Sequence, residues 1–263
     1  MNPLLDLSAH PVIAHRGASA EAPENTLAAF ERAASLGADA FELDVRLAAD
    51  SVPVVMHDPS LERTTDRSGM VSALTSAQIQ SSDAGAMFSS DGGRTFPWRG
   101  RGVRVPTLVE VLRAFPVMPI LIEAKEAQVG DALRQVLLDE KATERCVIAS
   151  ELEAALAGFH VPPFVCGASG PDISRLYFGR FLGRAAGPVE FRLLSVPPRH
   201  HGLPIATRSF VAAARRLDCP VHVWTVDDPD FARVLWRRGV AGIVTNTPGR
   251  IRQARDEFNA AHT

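Results

Sequence analysis

From Pro11 to Asn246 the chain repeats one pattern: a short apolar run, then a segment whose apolar residues recur at helical spacing. The runs are PVIAHRG (Pro11 to Gly17), FELDVRL (Phe41 to Leu47), MPILIEAK (Met118 to Lys125), RCVIAS (Arg145 to Ser150), FVCGAS (Phe164 to Ser169), VEFRLLSV (Val189 to Val196), PVHVWTV (Pro220 to Val226) and AGIVTN (Ala241 to Asn246). Between most of them lie LAAFERAASLG, VGDALRQVLLDEKA, ELEAALAGF, SRLYFGRFLG, RSFVAAARRLD and DPDFARVLWRRG. Short apolar runs ended by charge read as buried strands, and the periodic segments read as helices. This rhythm implies parallel strands joined by crossover helices. About eight such units predict an α/β fold, a closed TIM (β/α)8 barrel, rather than an open sheet. At 263 residues the chain matches the length that one barrel domain uses, so residues 1–263 read as a single domain.

One stretch breaks the rhythm. VPVVMHD (Val52 to Asp58) follows FELDVRL closely and reads as its neighbour or extension. Residues 59–105 then contain no barrel strand, so an insertion follows the second barrel strand region. It is rich in Ser, Thr, Gly and Asp, then carries Arg94, Arg99, Arg101 and Arg104. Long excursions after barrel strands often carry function, and those arginines would draw in an anionic substrate. A solvated surface insertion is the alternative.

The formal net charge of −2 gives no basic excess, which argues against nucleic acid as a partner. The start, MNPLLDLSAHPV, has neither the basic nor the apolar region of a signal peptide. No apolar stretch is long enough to span a bilayer, so no transmembrane segment is expected. Cys146, Cys166 and Cys219 are widely spaced and sit in or beside strand-like runs, which suits small buried hydrophobes rather than a zinc site or disulfide. The expected compartment is the cytoplasm. No feature specifies an oligomeric state.

His15-Arg16, Glu42-Leu43-Asp44 and His57-Asp58 each close a strand-like run within the first 58 residues. Strand alternation puts Glu42 and Asp44 on one face and Phe41, Leu43 and Val45 on the other; Glu123 and Lys125 likewise share a face. In a barrel these groups meet at the C-terminal mouth. Three carboxylates with no nearby cysteine make an all-oxygen set that favours one divalent cation, Mg²⁺ or Ca²⁺, over zinc. A salt-bridged strand end, with Lys125 and Arg16 neutralising the acids, is the competing reading. His15 and His57 suit acid and base, because histidine titrates near neutral pH. Of the others, His222 lies within a strand and suits packing, while His10, His200, His201 and His262 read as loop or terminal residues. Arg16 offers a forked donor for phosphate and Lys125 a point charge. That combination suits phosphoryl chemistry. G-x-x-x-x-G-K-[ST] and G-x-S-x-G are absent, which excludes the usual nucleotide-triphosphate and serine-hydrolase sites.

At these residues the sequence resembles the glycerophosphodiester phosphodiesterase family. The carrying motifs are His15-Arg16-Gly17, Pro23-Glu24-Asn25-Thr26, Glu42-Leu43-Asp44 and the run from His57-Asp58-Pro59 through Leu61 and Arg63 to Thr64-Thr65. Pro106-Thr107-Leu108 with Glu110, Ile122-Glu123-Ala124-Lys125, Trp224-Thr225-Val226 and the Gly239-Val240 segment extend the match to about residue 250. The resemblance implies a TIM barrel and a divalent metal on Glu42, Asp44 and Glu123. It implies His15 and His57 as the acid–base pair, Arg16 and Lys125 on the phosphate, and Trp224 near the substrate. The implied substrates are glycerophosphodiesters, cleaved to glycerol phosphate and an alcohol, through a cyclic phosphate formed by the substrate's own hydroxyl. Lysophospholipase D-type action on one-chain lipids, with LYFGRFL (Leu176 to Leu182) as an apolar contribution, and a catalytically silent binding protein are the rivals. The chain departs from the family pattern at Ala241 and Asn246, which replace acids, and at Glu151, where the family often has Phe. The first two departures bear on hydrogen bonding around the site, without removing a ligand.

Overall fold

The computed structural model describes residues 2–179 and 189–261. Strands β1 (Val12–His15), β2 (Ala40–Leu47), β3 (Pro53–Val55), β4 (Ile120–Ala124), β5 (Cys146–Ala149), β6 (Leu194–Val196), β7 (Arg199–His200), β8 (Leu203–Pro204), β9 (Val221–Val223) and β10 (Gly242–Thr245) appear in chain order. The parallel order is β5-β4-β2-β1-β10-β9-β6. Parallel bridges Ile148–Cys166 and Gly167–Leu193 join the two ends of that list and close the ring. Backbone bonds seal the junction: Gly167 N–H donates to Ile148 O at 2.8 Å and Ala168 N–H to Leu193 O at 2.9 Å. The expected TIM barrel is therefore present, with FVCGAS reduced to a bridge-length stave.

VPVVMHD is the neighbour of FELDVRL, as expected: β3 pairs antiparallel with β2 through Val45–Val55, Arg46–Val54 and Leu47–Pro53, off the parallel ring. β2 overshoots the barrel rim and β3 folds back along it, so the chain descends to the mouth and delivers His57 there. One expectation needs correcting. ELEAALAGF forms only a 3₁₀ turn at Glu153–Leu156 before the positive-φ Gly158.

The helices are α1 (Leu27–Ser35), α2 (Ser76–Gln80), α3 (Leu108–Ala114), α4 (Gly130–Asp139), α5 (Gly170–Gly179), α6 (Arg208–Arg215), α7 (Pro229–Arg237) and α8 (Pro248–Ala260). α7 shows why they form. Asp228 caps it by accepting from Asp230 N–H at 2.8 Å and Phe231 N–H at 3.2 Å, and Pro229 fills the first turn. Ala232, Leu235 and Trp236 then bury one face at helical spacing. Periodicity missed α2, α3 and α8. α3 is only two turns long; α8 is polar on most of its surface and buries Ile251, Ala254 and Phe258.

Alternation sorts the strand side chains as expected. Phe41, Leu43 and Val45 pack outward with Ile120, Ile122 and Ile148 under the helices. Ile13, Ala40, Leu121, Val147, Leu193 and Val244 fill the barrel interior, and Leu4 completes that cluster. His222 also lies inside, fully buried, with its Nε2 on Leu4 O at 2.9 Å. It fits because its strand partner is Gly242, where a Cβ would stand 2.4 Å from the ring Nδ1. Burial pushes its pKa down to about 4, so it packs as a neutral ring, as expected for a packing histidine. The three cysteines are free and buried.

Within residues 59–105 a separate apolar cluster forms from Leu61, Val71, Ile79, Ala84 and Val105, which packs on Val54 and Met56. Arg99 donates Nε–H to Ala86 O at 2.9 Å and lies over the Phe96 ring, 4.0 Å from its centroid. Of the LYFGRFL segment, Leu176 and Tyr177 are buried and Phe178 is exposed; residues 180–182 lie outside the described residues, as does His262.

Candidate active site

Strand register assembles the mouth. His15 on β1 lies opposite Glu42 on β2, and Asp44 on β2 lies opposite Glu123 on β4. A cavity of about 200 Å³ opens there, lined by His15, Arg16, Glu42, His57, Glu123, Lys125 and Trp224 among others. Seven of the eight site residues read from the sequence thus face one space, and the eighth, Asp44, lies fully buried beneath them. Trp224 lines the cavity and also packs on the interior cluster. The four arginines of residues 94–104 are not among the lining residues, which favours the solvated surface insertion of the two readings.

Glu42, Asp44 and Glu123 each offer an oxygen within 4.8 Å of the others. Burial, then the charges of Asp44 and Glu123, push Glu42 well above the usual carboxylate range; burial and Asp44 raise Glu123. Lys125 donates to Glu123 Oε1 at 2.8 Å and stands 3.5 Å from Asp44 Oδ1. Burial works against its charge, but Glu123 and Asp44 together outweigh that and raise its pKa. Arg16 Nε lies 3.0 Å from Asp44 Oδ2 but is not aligned for a hydrogen bond, and its Nη1 donates to Glu24 at 2.9 Å. So the salt-bridge reading holds only in part. Two cations face three carboxylates, Arg16 is shared with a fourth, and buried Asp44 Oδ1 accepts no hydrogen bond among the described residues. A divalent cation fits this oxygen set by charge and by donor type.

The backbone before β2 is shaped for the same cluster. Arg16 and Asn25 both take left-handed conformations, with φ of 56° and 58°. Asn25 donates Nδ2–H to Asp44 Oδ2 at 2.9 Å. Within the Pro23-Glu24-Asn25-Thr26 motif the two neighbours divide: Thr26 caps α1 and Asn25 serves the carboxylate. Gly17, at φ 82°, brings the chain against Ala29, where a Cβ would stand 2.6 Å from the helix backbone.

The two histidines have different supports. His15 Nδ1 meets Asn246 Oδ1 at 2.7 Å, and its Nε2 is 4.0 Å from Glu42 Oε2. Burial, then the Arg16 charge, lowers its pKa. His57 Nδ1 donates to Asp58 Oδ1 at 2.6 Å. Asp58 is gripped by Arg63 Nε at 2.5 Å, and Arg63 also holds Glu24 through two nitrogens at 2.8 Å. Burial would raise Asp58 and Glu24, yet the bonds from Arg63, with His57 on Asp58 and Arg16 on Glu24, hold both at about 2. Glu24, Asn25, Asp58 and Arg63 were visible only as letters of motifs. Asp227, which accepts hydrogen bonds from the backbone and the side chain of Asn246, had no sequence signal.

A model of the glycerophosphoryl diester phosphodiesterase family matches residues 15–150 and 187–250. The glycerophosphodiester phosphodiesterase of Caldanaerobacter subterraneus is 32% identical over 245 residues, covering 90% of this chain and 94% of that protein. Among solved structures, the glycerophosphoryl diester phosphodiesterase domain of a Mycobacterium tuberculosis protein superposes with a TM-score of 0.82 at 21% identity, covering 94% of this chain and 99% of that one. A phosphodiesterase of Oleispira antarctica, in complex with the product sn-glycerol-3-phosphate, gives a TM-score of 0.72 at 26% identity over 94% of this chain and 96% of that one.

Proposed function

The chain belongs to the glycerophosphoryl diester phosphodiesterase family, and from that premise we propose that it hydrolyses glycerophosphodiesters to glycerol phosphate and an alcohol. The observation that carries this reading is the convergence of two histidines and two carboxylates on one cavity, with the third carboxylate, Asp44, buried beneath it and within 4.8 Å of the other two. The product held by the Oleispira relative supports the same substrate class.

Glu42, Asp44 and Glu123 would hold one divalent cation, Mg²⁺ or Ca²⁺, which when bound draws charge from the non-bridging phosphate oxygens. Arg16 and Lys125 sit beside the cluster and bind the phosphate. One histidine takes a proton from the glycerol hydroxyl next to the phosphate. That oxygen forms a bond to phosphorus, the bond to the head-group alcohol breaks, and the other histidine supplies the alcohol's proton. Water then opens the cyclic phosphate with the proton transfers reversed. Keeping the nucleophile within the substrate exploits proximity. Trp224 stacks on the glycerol or head group.

We read residues 1–263 as one catalytic domain, with residues 59–105 inserted at the mouth, where they bring Arg63 to Asp58 and Glu24. Among the described residues no helix is long and apolar enough to cross a membrane. The free cysteines support a reducing compartment, the cytoplasm. A one-chain lipid is the second reading for the substrate, favoured by the apolar flank of Ala149, Ala168, Ile173 and Leu193. A panel of glycerophosphodiesters and lysolipids, each with Mg²⁺, Ca²⁺ or chelator, decides the matter. Turnover of glycerophosphocholine or glycerophosphoethanolamine that stops with chelator and returns with the ion is expected. Chelator-resistant turnover would remove the cation, and no turnover of any diester would leave a binding protein.

A further inference from the structure

β10 lies beside β1 in the ring, with Thr245 opposite Ala14, so Asn246 follows β10 at the level of His15. Behind it stands Asp227, in the loop between β9 and α7. Asp227 Oδ1 accepts from Asn246 N–H at 2.7 Å and from the Thr245 hydroxyl at 2.7 Å, and its Oδ2 accepts from Asn246 Nδ2–H at 2.8 Å. A carboxylate in this setting only accepts, so the nitrogen end of the Asn246 amide must face Asp227. The oxygen end then faces His15 Nδ1 at 2.7 Å and also lies 2.8 Å from the Ser19 hydroxyl. An amide oxygen only accepts, so Nδ1 must carry a proton. In the neutral ring the open lone pair is then on Nε2, the nitrogen on the Glu42 side of the cavity.

We propose that Asn246, fixed in orientation by Asp227, is a positioning residue that holds His15 in its Nδ1–H tautomer with Nε2 free to take a proton from substrate. The proposal rests on the reading of His15 as a proton carrier. It assigns a task to Asn246, one of the positions at which this chain departs from the family pattern it resembles. A neutral amide does here what a carboxylate would do: it accepts from Nδ1–H and fixes the ring plane. The charge sits one residue further back, on Asp227.

Long-range ¹H–¹⁵N spectra of the imidazole rings, recorded at about pH 8 where ordinary histidines are neutral, read the tautomer directly. His15, assigned by its absence in His15→Gln, should show a protonated Nδ1 and a bare Nε2. Asn246→Ala should give mixed tautomers at His15 and lower kcat by about 10- to 100-fold, part of what a proton carrier supplies, with KM changed less than about two-fold. The exchange variant, Asp227→Asn with Asn246→Asp, reverses the side-chain bond between the two positions but keeps an oxygen acceptor for His15 Nδ1–H, for the backbone N–H of position 246 and for the Thr245 hydroxyl. It should restore the tautomer and bring kcat back to within about five-fold of the parent. A parent spectrum with Nε2 protonated would overturn the proposal. So would an Asn246→Ala variant that keeps the parent's tautomer and kcat, or an exchange variant no better than Asn246→Ala. Parental turnover by His15→Gln would instead overturn the role of His15 itself, while the spectrum still judges what Asn246 does to the ring.

Discussion

His15 and His57 look alike in the sequence, each closing a strand-like run beside a charged residue, yet the fold supports them by opposite means. The His15 ring leans on a neutral amide inside the barrel wall, and 17% of its side chain is exposed. The His57 ring leans on a carboxylate at the rim, and 32% of its side chain is exposed. Behind Asp58 runs a chain of ion pairs through Arg63, Glu24 and Arg16 to Asp44. An amide orients a ring without charging it, whereas a carboxylate orients it and supplies a counter-charge. The two sides of one cavity should therefore fail under different insults.

The largest effect treats them alike. His15→Ala and His57→Ala should each lose about 10² to 10⁴ in kcat, with unfolding midpoints moving far less. Parental turnover in either variant would remove that ring from the chemistry and end the comparison.

Acid should then separate the sides. His15 has a lowered folded pKa, as does buried His222, so the unfolded chain binds their protons more tightly. Their contribution is whole above the unfolded value of 6.5 and is lost as pH falls below it, for His222 down to about 4. His222 dominates this step with roughly 3 kcal/mol, and His222→Gln should remove most of it. Asp58 and Glu24 behave the other way in cause and act lower on the scale. Their contribution is present above unfolded values of 3.8 and 4.5 and is lost toward about 2. With half-exposed Arg63 as partner, about 1 kcal/mol or less each is expected. Urea unfolding across this range should show two steps, and Arg63→Ala should flatten the lower one alone. In the His222→Gln background any upper step that remains belongs to His15, and its absence would mean that the amide-supported side carries no acid-sensitive stability of its own.

A smaller effect tests the ionic side at neutral pH. Arg63→Ala frees Asp58 and Glu24, so kcat should fall by about ten-fold while the His15 ring spectrum stays as in the parent. A changed His15 spectrum would join the two sides into one network. Smallest of all, Arg99→Ala with Arg101→Ala should leave KM within about two-fold at low and high salt, because Arg99 is held by Ala86 O and Phe96 away from the cavity. A KM that rises only at low salt would restore these arginines to substrate attraction.

Much of the site was legible because strand alternation is a local rule. Glu42 and Asp44 had to share a face, as did Glu123 and Lys125, whatever the rest of the chain did. The barrel followed from the strand–helix rhythm, although FVCGAS shrank to two bridges and ELEAALAGF to a single turn. The direction of VPVVMHD was not legible. An antiparallel return and a parallel stave have the same apolar letters, and only pairing with the overshooting end of β2 separates them.

Local chemistry alone decided the identities of the acids, bases and cations, the faces they occupy and the caps that start the helices, because each depends on neighbours within a few residues. Tertiary structure decided who supports whom. Asn246 reaches His15 across 231 positions of chain, and Arg63 reaches Glu24 across 39. Such pairings are set by ring closure and strand register, which sum contacts over the whole barrel and leave no mark in the spacing of the residues that meet.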